Sequence, residues 1–282
     1  MTQGPMTQGP QSWKDFHGGR LRAIVEVVQA AGHHTLKHFR TSNLTVDAKA
    51  DDSPVTIADR EAEQLVRNQL AEQFPEDTLQ GEEFAEQSGT SDYRWIVDPI
   101  DGTKSFICGV PLYSTLLALE HEGEALAGAI FIPALGELLV AAMGRGSWYR
   151  NTGRFPGDSP SDWIQAKVSS KSQLDQATFV TSQVDSFTTR GASDAYRQLE
   201  KDAWITRSWG DGYGYLLVAT GRAEIMVDPV CNPWDVAAIL PVLTEAGGQF
   251  TDWQGNATTR GGDGVGTNGR LHPETLKLLQ RC

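Results

Sequence analysis

The chain has 282 residues, of which 39% are hydrophobic, 21% charged and 9% aromatic. That length and composition predict a globular protein of one or two domains with a sizeable core, and exclude a disordered, collagen-like or disulfide-rich chain. The net charge of −12 gives a field that repels nucleic-acid backbones and anionic lipid, so neither nucleic acid nor a membrane is an expected partner. An anionic substrate would need local cations, which makes a bound metal worth seeking.

The cysteines and the first residues bear on where the protein works. Three cysteines lie far apart and form no C-x-x-C pair, a usage that fits a reducing compartment: Cys108, Cys231 and Cys282. No apolar run approaches the about 18 residues of a membrane span, and the first residues lack the basic and apolar regions of a signal peptide. We therefore expect a cytoplasmic protein. Residues 1–12, which begin with a duplicated Met-Thr-Gln-Gly-Pro, are expected to form a disordered tail.

The first half of the chain changes from helical to strand patterns. Apolar residues recur with helical spacing over residues 21–39, which predicts one long helix. Asp59 is the predicted N-cap of a second helix, which ends before Pro75 and packs its apolar stripe on the first. Short apolar runs punctuated by glycine and proline then predict strands of an antiparallel or mixed sheet. These strands are expected at 95–98, 114–119, 125–132 and 137–142.

A Gly- and Pro-rich segment, residues 151–162, separates that sheet from an alternating second half. We place a boundary near residue 160, between an N-terminal α+β half, residues 13–160, and a C-terminal α/β half, residues 161–282. In the second half, strands are predicted at 178–181, 204–207 and 223–227, and helices at 193–200, 213–220 and 234–246. Pro241 is expected to kink the last of these helices.

The most informative stretch is Asp98-Pro-Ile-Asp-Gly-Thr103, where a strand ends in two aspartates three residues apart. The proline between them restricts the turn, so the two carboxylates are expected to converge on one point. The Gly-Thr pair opens a short predicted helix, and backbone amides at a helix N-terminus bind phosphate. The amides in question belong to Gly102, Thr103 and Lys104. A metal side and an anion side are therefore expected next to each other.

Two further acidic segments can add carboxylates to this point. Gly81-Glu-Glu83 follows a short predicted strand, and Asn232-Pro-Trp-Asp235 opens another predicted helix. Taken singly, each of these acids is typical of a turn or a helix N-cap. Three acidic sites in rigid Pro, Gly and Trp contexts favour a joint function instead. Because the ligands are oxygens without His or Cys, the pattern favours Mg²⁺ over zinc.

With these motifs the chain resembles the inositol monophosphatase superfamily of Mg²⁺-dependent, lithium-sensitive phosphatases. The segments that carry the resemblance follow the family's order and are 51–59, 81–83, 98–103, 234–238 and 245–248. The resemblance implies a homodimer and a layered α-β-α-β-α sandwich, of mixed α+β and α/β class, of the inositol monophosphatase and fructose-bisphosphatase type. It implies that two or three Mg²⁺ ions are held by Glu82, Asp98, the Ile100 carbonyl, Asp101 and Asp235. It further implies that Asp59 and Thr103, together with Glu82, activate the attacking water.

Segments beyond the metal motif are similar to the histidinol-phosphate phosphatases of that superfamily. They are 103–111, 209–215 and 225–229, and within them Gly212 departs from the Cys of that pattern. The resemblance implies hydrolysis of L-histidinol phosphate by metal-activated water, with inositol 1-phosphate and 3′-phosphoadenosine 5′-phosphate as alternative substrates. It places Asp211 and Asp228 at the leaving group, where carboxylates bind the amine and imidazole of histidinol by charge-assisted hydrogen bonds. A helix cap at Asp211 and a turn at Asp228 are the structural alternatives.

Two rival functions stand against the phosphatase. The segment 264–269 matches the dinucleotide-binding pattern G-x-G-x-x-G, but only 13 residues follow it, too few for a dinucleotide-binding half. We interpret it as a glycine-rich loop before a last helix from Pro273. A catalytically silent binding module is disfavoured because the acids of the metal motif are all intact. His34 and His38, spaced i, i+4, lack the Glu of an H-E-x-x-H motif and are assigned a surface or packing role.

Overall fold

A computed structural model gives the structure of the protein and describes residues 9–13, 16–42, 44–48, 54–152 and 161–280. The α-helices there are α1 (Arg20–Thr35), α2 (Ile57–Gln73), α3 (Thr103–Ile107), α4 (Val184–Thr189), α5 (Ser193–Asp202), α6 (Asp211–Ala219), α7 (Pro233–Val236), α8 (Ile239–Glu245) and α9 (His272–Leu279). The strands are β1 (Val46–Ala48), β2 (Pro54–Thr56), β3 (Thr78–Gly81), β4 (Tyr93–Asp101), β5 (Ser114–His121), β6 (Glu124–Ile132), β7 (Glu137–Ala142), β8 (Ser147–Asn151), β9 (Ile164–Gln165), β10 (Thr178–Thr181), β11 (Ile205–Arg207), β12 (Ile225–Asp228), β13 (Gln249–Thr251) and β14 (Gly264–Thr267). Short 3-10 turns lie at Pro10–Ser12, Phe16–Gly19 and Leu174–Gln176.

Seven strands form the first sheet, in the order β3-β4-β5-β6-β7-β8-β9. Neighbouring strands are antiparallel except β3 and β4, which run parallel and therefore end at the same edge of the sheet. The helices α1 and α2 pack on each other and on one face of this sheet. Their apolar stripes meet alternate side chains of the strands in a core that includes Val27, Val66 and Trp95. The predicted pairing of the first two helices is confirmed.

Five strands form the second sheet, in the order β11-β10-β12-β14-β13. The helices α6 and α8 fill the space between the two sheets, around Leu116, Tyr215 and Met226. The helices α5 and α9 cover the outer face of the second sheet, around Phe179 and Leu199. Helices and sheets therefore alternate in five layers, which confirms the predicted α-β-α-β-α sandwich. No helix in the part of the chain that the structure describes is long and apolar enough to span a membrane.

The helix predicted over residues 234–246 is broken into α7 and α8, and the break lies at 237–238. The ring of Pro241 would collide with the carbonyl four residues earlier, at Ala237, which explains where the helix is interrupted. The first helix, expected to reach residue 39, ends at Thr35 and gives way to single turns. Of the disordered tail expected over 1–12, residues 1–8 lie outside the described residues, but Pro10–Ser12 forms a 3-10 turn. That turn precedes the fully buried Trp13, so residues 10–12 are ordered where disorder was expected.

The glycine-rich segment near the C-terminus is a strand where a loop was expected. Gly264–Thr267 is β14, hydrogen-bonded between β12 and β13. Glycine is required at Gly266 because a Cβ there would lie 2.6 Å from the Leu243 side chain of α8. In the predicted linker, residues 153–160 lie outside the described residues. Past the boundary predicted near residue 160, β9 still pairs with β8 of the first sheet.

Candidate active site

A β-bulge near the end of β4 brings Asp98 and Asp101 onto one face of the first sheet. In a regular strand, residues three apart point to opposite faces. Here Asp98 pairs with Leu116 and Asp101 with Ser114, so three steps along β4 match only two along β5. Leu116 and Ser114 share a face because they are two residues apart, and Leu116 belongs to the core between the sheets. Both aspartates therefore point toward the second sheet.

Hydrogen bonds fix the direction of both carboxylates. The Ile100 amide donates to Asp98 Oδ1 at 3.0 Å. Asp101 Oδ2 accepts from the Ser114 hydroxyl at 2.6 Å and from the Gly212 amide of α6 at 2.5 Å. A Cβ at Gly212 would lie 2.9 Å from that Asp101 oxygen. Glycine at 212, where the histidinol-phosphate phosphatase pattern has Cys, therefore gives the α6 amide direct access to Asp101.

Glu82 directly follows β3, and the parallel pairing of β3 with β4 places it at the same sheet edge as the two aspartates. Its loop is held by the fully buried Glu63 of α2, whose carboxylate accepts from the amides of Glu83 at 2.8 Å and Phe84 at 3.3 Å. Arg67, one turn later on α2, donates to Glu63 at 2.8 Å and to the Phe84 carbonyl at 3.1 Å. The buried pair of Glu63 and Arg67 therefore sets the path by which the chain presents Glu82.

Asp235 of α7 completes a cluster of three carboxylates. One of its oxygens accepts from the Asn232 amide at 2.6 Å, as part of the capping box that begins α7. Asp98, Asp101 and Asp235 each offer an oxygen, and these three oxygens lie within 4.8 Å of one another. A donor set made of carboxylate oxygens is the set that Mg²⁺ prefers. The residues present therefore fit the hard cation that the sequence predicts.

Burial and mutual repulsion raise the pKa of the carboxyl groups in this cluster. Burial raises the pKa of Asp98 well above its ordinary value, and the charges of Glu82, Asp101 and Asp235 raise it further. Burial is also the main reason that the pKa of Asp235 is raised to about 7. Buried carboxylates this close cannot all ionise near neutral pH unless a cation offsets their charge. The raised pKa values and the arrangement of the oxygen donors thus both favour a bound divalent cation.

Asp59 and Thr103, the predicted water-activating pair, are held by separate partners. The N-cap of α2 is Thr56 and not Asp59, so the predicted cap is wrong. Asp59 is the third residue of the helix. Its Oδ2 accepts hydrogen bonds from the Thr56 amide at 2.8 Å and from the Thr56 hydroxyl at 2.6 Å. Asp59 Oδ1 is buried and has no hydrogen-bond partner among the described residues. Burial raises the pKa of Asp59, with the charge of Glu82 adding to the rise. The Thr103 hydroxyl donates to the Ile100 carbonyl at 3.1 Å.

The helix α3 begins beside the carboxylate cluster. Gly102 turns the chain from β4 into α3 with a φ of 83°, a left-handed conformation that glycine adopts without strain. Gly102, Thr103 and Lys104, the predicted phosphate-binding residues, all line the same cleft as Asp101 and Asp235. Lys104 Nζ donates to the side chain of Gln183 across that cleft. The cleft therefore has a cation next to its carboxylates, while phosphate binding itself stays a prediction.

Ser182 joins Asp211 and Asp228 on the cleft wall that the second sheet provides. Its hydroxyl donates to Asp228 Oδ1 and accepts from the Asp211 amide at 2.9 Å. Gly210 is the N-cap of α6, so the helix-cap alternative for Asp211 is wrong. Asp211 has a φ of 56°, a strained value for a residue with a side chain. Burial raises the pKa of Asp228 to about 7, and the charge of Asp211 adds to the rise. The hydrogen bond from Ser182 lowers the pKa but only partly offsets these effects.

The cleft between the two sheets has a volume of about 700 Å³. The predicted site residues that line it are Glu82, Asp101, Gly102, Thr103, Lys104, Asp211, Asp228 and Asp235. Sequence reasoning missed Ser182, Ser114 and Glu63, which hold these groups in place. Ser182 directly follows β10, and the carboxyl end of a parallel strand is where such sheets bind ligands, so a signal for it existed. Glu63 lies within an ordinary helical pattern and carries no such signal.

Known proteins are similar to this chain over most of its length. The profile of the inositol monophosphatase family matches residues 20–282. The histidinol-phosphatase of Chlorobaculum parvum is 42% identical over 245 residues, which cover 87% of this chain and 90% of that protein. The histidinol-phosphatase of Streptomyces coelicolor is 37% identical over 93% of this chain and 97% of that protein. The solved inositol monophosphatase structure from Thermotoga maritima has a TM-score of 0.79 and 30% identity, covering 93% of this chain and 97% of that chain.

Proposed function

Because the chain belongs to the inositol monophosphatase family, whose members are metal-dependent phosphomonoesterases acting on small molecules, we propose that its cleft hydrolyses L-histidinol phosphate to L-histidinol and inorganic phosphate. The names of the Chlorobaculum and Streptomyces relatives support this substrate. The observation that carries the proposal is the pair of acids Asp211 and Asp228, which line the cleft and are bridged by the hydroxyl of Ser182.

The charge of that set matches one of the three candidate substrates. Burial raises the pKa of both Asp211 and Asp228, and the charge of Asp211 raises that of Asp228 further, so a substrate cation placed between them would offset the cost of ionising them. Histidinol carries an amine and an imidazole, whose reference pKa is about 6.5, and both accept a proton to become such a cation. Inositol offers neutral hydroxyl groups only. 3′-Phosphoadenosine 5′-phosphate would bring a second anion to the same acids, which repel it.

We propose Mg²⁺, as two or three ions, for the carboxylate cluster beside these two acids. The residues that would hold it are Glu82, Asp98, Asp101, Asp235 and the carbonyl of Ile100. Bound there, Mg²⁺ supplies polarisation of the phosphoryl oxygens and lowers the pKa of nearby water. The raised pKa values of the carboxyl groups and their all-oxygen donor set support this choice.

The chain's own residues would orient the water and take its proton. Asp59 Oδ1 is a buried carboxylate oxygen with no hydrogen-bond partner among the described residues, so it can accept a proton from the attacking water. The proton of the Thr103 hydroxyl is directed at the Ile100 carbonyl, which leaves the lone pairs of its oxygen to accept a hydrogen bond from the same water. The water oxygen then bonds to phosphorus and the ester P–O bond breaks, while the leaving oxygen takes a proton from solvent water and Asp59 returns its proton to solvent. Lys104 and the amide groups beside it face the phosphate.

A phosphate-release panel tests the proposal directly. With Mg²⁺, the purified protein should hydrolyse histidinol phosphate with a higher kcat/KM than inositol 1-phosphate, 3′-phosphoadenosine 5′-phosphate or p-nitrophenyl phosphate. Faster hydrolysis of inositol 1-phosphate would overturn the substrate assignment and keep the phosphatase. No release from any of these esters would instead favour the silent binding module.

Variants at the acid pair sharpen the same test. Asp211→Asn and Asp228→Asn should each raise KM for histidinol phosphate by about 10-fold or more, because each loses a charged hydrogen bond worth about 1.5–3 kcal/mol. Hydrolysis of p-nitrophenyl phosphate, which lacks the cation, should change little. Asp175→Asn, an exposed acid outside the cleft, is the matched control. Equal losses on both substrates would show that the two acids are structural.

Three further expectations complete the proposal. We propose a homodimer on the family resemblance, to be measured by light scattering during size-exclusion chromatography. We propose a cytoplasmic location, which the free thiols of Cys108 and Cys231 fit, to be measured by cell fractionation. We also propose that residues near 160 divide the chain into its two halves, to be measured by limited proteolysis.

A further inference from the structure

A second cluster of metal-binding side chains lies on the surface, between α1 and α2. His34 is in the last turn of α1, and His38 is in the turns that follow it. The Nε2 atoms of both imidazoles lie 2.9 Å from the same oxygen, Oε2 of Glu61 on α2. The i, i+4 spacing aligns the two histidines, but the carboxylate comes from another helix, which is why the sequence motif did not show the site.

The donor set of this cluster differs from that of the cleft. Two imidazole nitrogens and one carboxylate oxygen, all within 4.8 Å of one another, match the three-ligand sites that hold zinc with one coordination position open. Mg²⁺ disfavours such a set, because imidazole is a softer ligand than the oxygens it prefers. The side chains of His34, His38 and Glu61 are 18%, 24% and 43% exposed, so an ion can reach them and the rotamers can adjust to it.

The charges of Glu61 and Lys37 determine what must change when the two histidines bind a metal ion. The hydrogen bonds from His34 and His38 hold the pKa of Glu61 below its ordinary value, so this carboxylate is ionised near neutral pH. Lys37 Nζ lies 3.3 Å from His34 Nδ1. If His34 binds an ion through Nε2, Nδ1 must carry the ring proton, so Lys37 has to turn away from it. Lys37 is exposed, and its long side chain can do so.

We propose that His34, His38 and Glu61 form a surface site for one transition-metal cation of the zinc type, separate from the acidic cleft. Such an ion would join the turns after α1 to the first turns of α2. Glu61 lies two residues after Asp59 on that helix. The site would therefore brace the end of α2 that carries the proposed water-activating acid, without touching the substrate.

Calorimetric titration of the full-length protein with Zn²⁺ tests the site, in the presence of excess Mg²⁺ to occupy the oxygen ligands of the cleft. His38→Gln should bind one equivalent of Zn²⁺ fewer than the wild type, and Glu61→Gln should show the same loss through a different residue. His33→Gln is the matched control, because that imidazole packs edge-on against Phe131 instead of facing Glu61. Mg²⁺-dependent phosphate release and thermal melting show that each variant is folded.

Co²⁺ provides a spectroscopic check, since a four-coordinate site with two imidazoles gives visible absorption that a hydrated or all-oxygen octahedral site gives only weakly. The wild type and His33→Gln should show this absorption, and His38→Gln should lose it. Equal Zn²⁺ stoichiometry in the wild type, His38→Gln and Glu61→Gln would overturn the proposal. It would show that the three side chains form a hydrogen-bonded contact between helices and no metal site.

Discussion

The aspartates of the site fall into two neighbouring groups, a metal end (Asp98, Asp101 and Asp235) and a leaving-group end (Asp211 and Asp228), and the surroundings of the two groups differ. At the metal end Asp98, Asp101 and Asp235 bring three carboxylate oxygens within 4.8 Å of one another, and the charges of Asp101 and Asp235 raise the pKa of Asp98. At the other end Ser182 stands between Asp211 and Asp228 and hydrogen-bonds to both residues. The first arrangement needs a divalent cation to be stable when ionised. In the second, a neutral hydroxyl donates to the Asp228 carboxylate and accepts from the Asp211 backbone amide, an arrangement that suits a singly charged organic cation.

This contrast shows that the residue type alone does not assign the role of a buried acid. Both ends are acidic, and both contain a carboxyl whose pKa is raised to about 7 by burial. The two groups differ in the number of carboxylates that face one point and in whether a neutral hydroxyl, that of Ser182, hydrogen-bonds to them. The metal end and the leaving-group end should therefore fail in different ways when a single carboxylate is neutralised.

The largest effect is expected from Asp98→Asn, which removes a central carboxylate of the metal end. We expect kcat/KM at ordinary Mg²⁺ to fall by about 10³-fold, which corresponds to about 4 kcal/mol of transition-state stabilisation. Phosphate release across a Mg²⁺ titration measures it. The metal-free Tm should not fall, because the substitution relieves repulsion among buried carboxylates. Near-normal activity of this variant would contradict the proposed metal end.

The next effect tests the proposed water-activating residues, Asp59 and Thr103. Asp59→Asn and Thr103→Ala should each lower kcat by about 10²-fold while KM stays within about twofold, as for groups that act in the transition state. Asn at 59 keeps an oxygen that can accept from Thr56, so the α2 cap survives and the Tm reports on it. Steady-state kinetics on histidinol phosphate give both constants. A raised KM with unchanged kcat would mean that these residues bind substrate.

A smaller effect is expected from Glu63→Gln, which acts on the metal end through Glu82. Loss of the Glu63 charge loosens the loop that presents Glu82, so the Mg²⁺ concentration for half-maximal activity should rise by about 10-fold, as for supporting residues of metal sites. At saturating Mg²⁺, kcat should return close to the wild-type value. The Tm should also fall, because Arg67 loses its buried partner. Glu72→Gln, at an exposed position of the same helix, is the control. An unchanged Mg²⁺ requirement in Glu63→Gln would show that Glu63 has a purely structural role.

The smallest effect is a pH dependence of Mg²⁺ binding at the metal end. The pKa of Asp235 is about 7 in the folded protein against an ordinary 3.8, so between these values the metal-free folded state holds a proton that the unfolded state has lost. The stability of the metal-free protein therefore falls as the pH rises through this window, and the fall is complete above about 7. Below pH 7, Mg²⁺ must displace that proton, so its affinity falls by up to about tenfold per pH unit for each proton displaced.

Thermal melting with and without Mg²⁺ measures this dependence. We expect the gain in Tm from Mg²⁺ to be larger at pH 8 than at pH 6. Burial lowers the pKa of His272 to about 4, which gives stability the opposite trend, rising with pH from about 4 to the ordinary 6.5. That contribution is the same with and without Mg²⁺ and cancels in the difference. A gain that does not depend on pH would show that no proton competes with the metal.

Local pattern and spacing predicted most of the strands and the acids of the metal motif, and the family resemblance carried by those motifs implied the layered fold. The sequence could not predict the bulge in β4, since only pairing with β5 reveals that Asp98 and Asp101 share a face. It treated capping and function as alternatives at Asp59 and Asp235. The structure shows a capping box at both, with one oxygen of Asp59 bonded to the backbone and the other left free. Glu63 acts through tertiary contacts alone and leaves no pattern to find.

The shared core between the two sheets has a consequence for how substrate enters. Leu116, Tyr215 and Met226, which come from both halves of the chain, are each no more than 1% exposed in that one core. A hinge motion that widened the cleft by separating the sheets would have to expose these side chains to water, at a cost of about 25 cal/mol for each Å² of apolar surface. We therefore expect substrate to diffuse into a preformed cleft, and turnover to be independent of rigid-body domain closure.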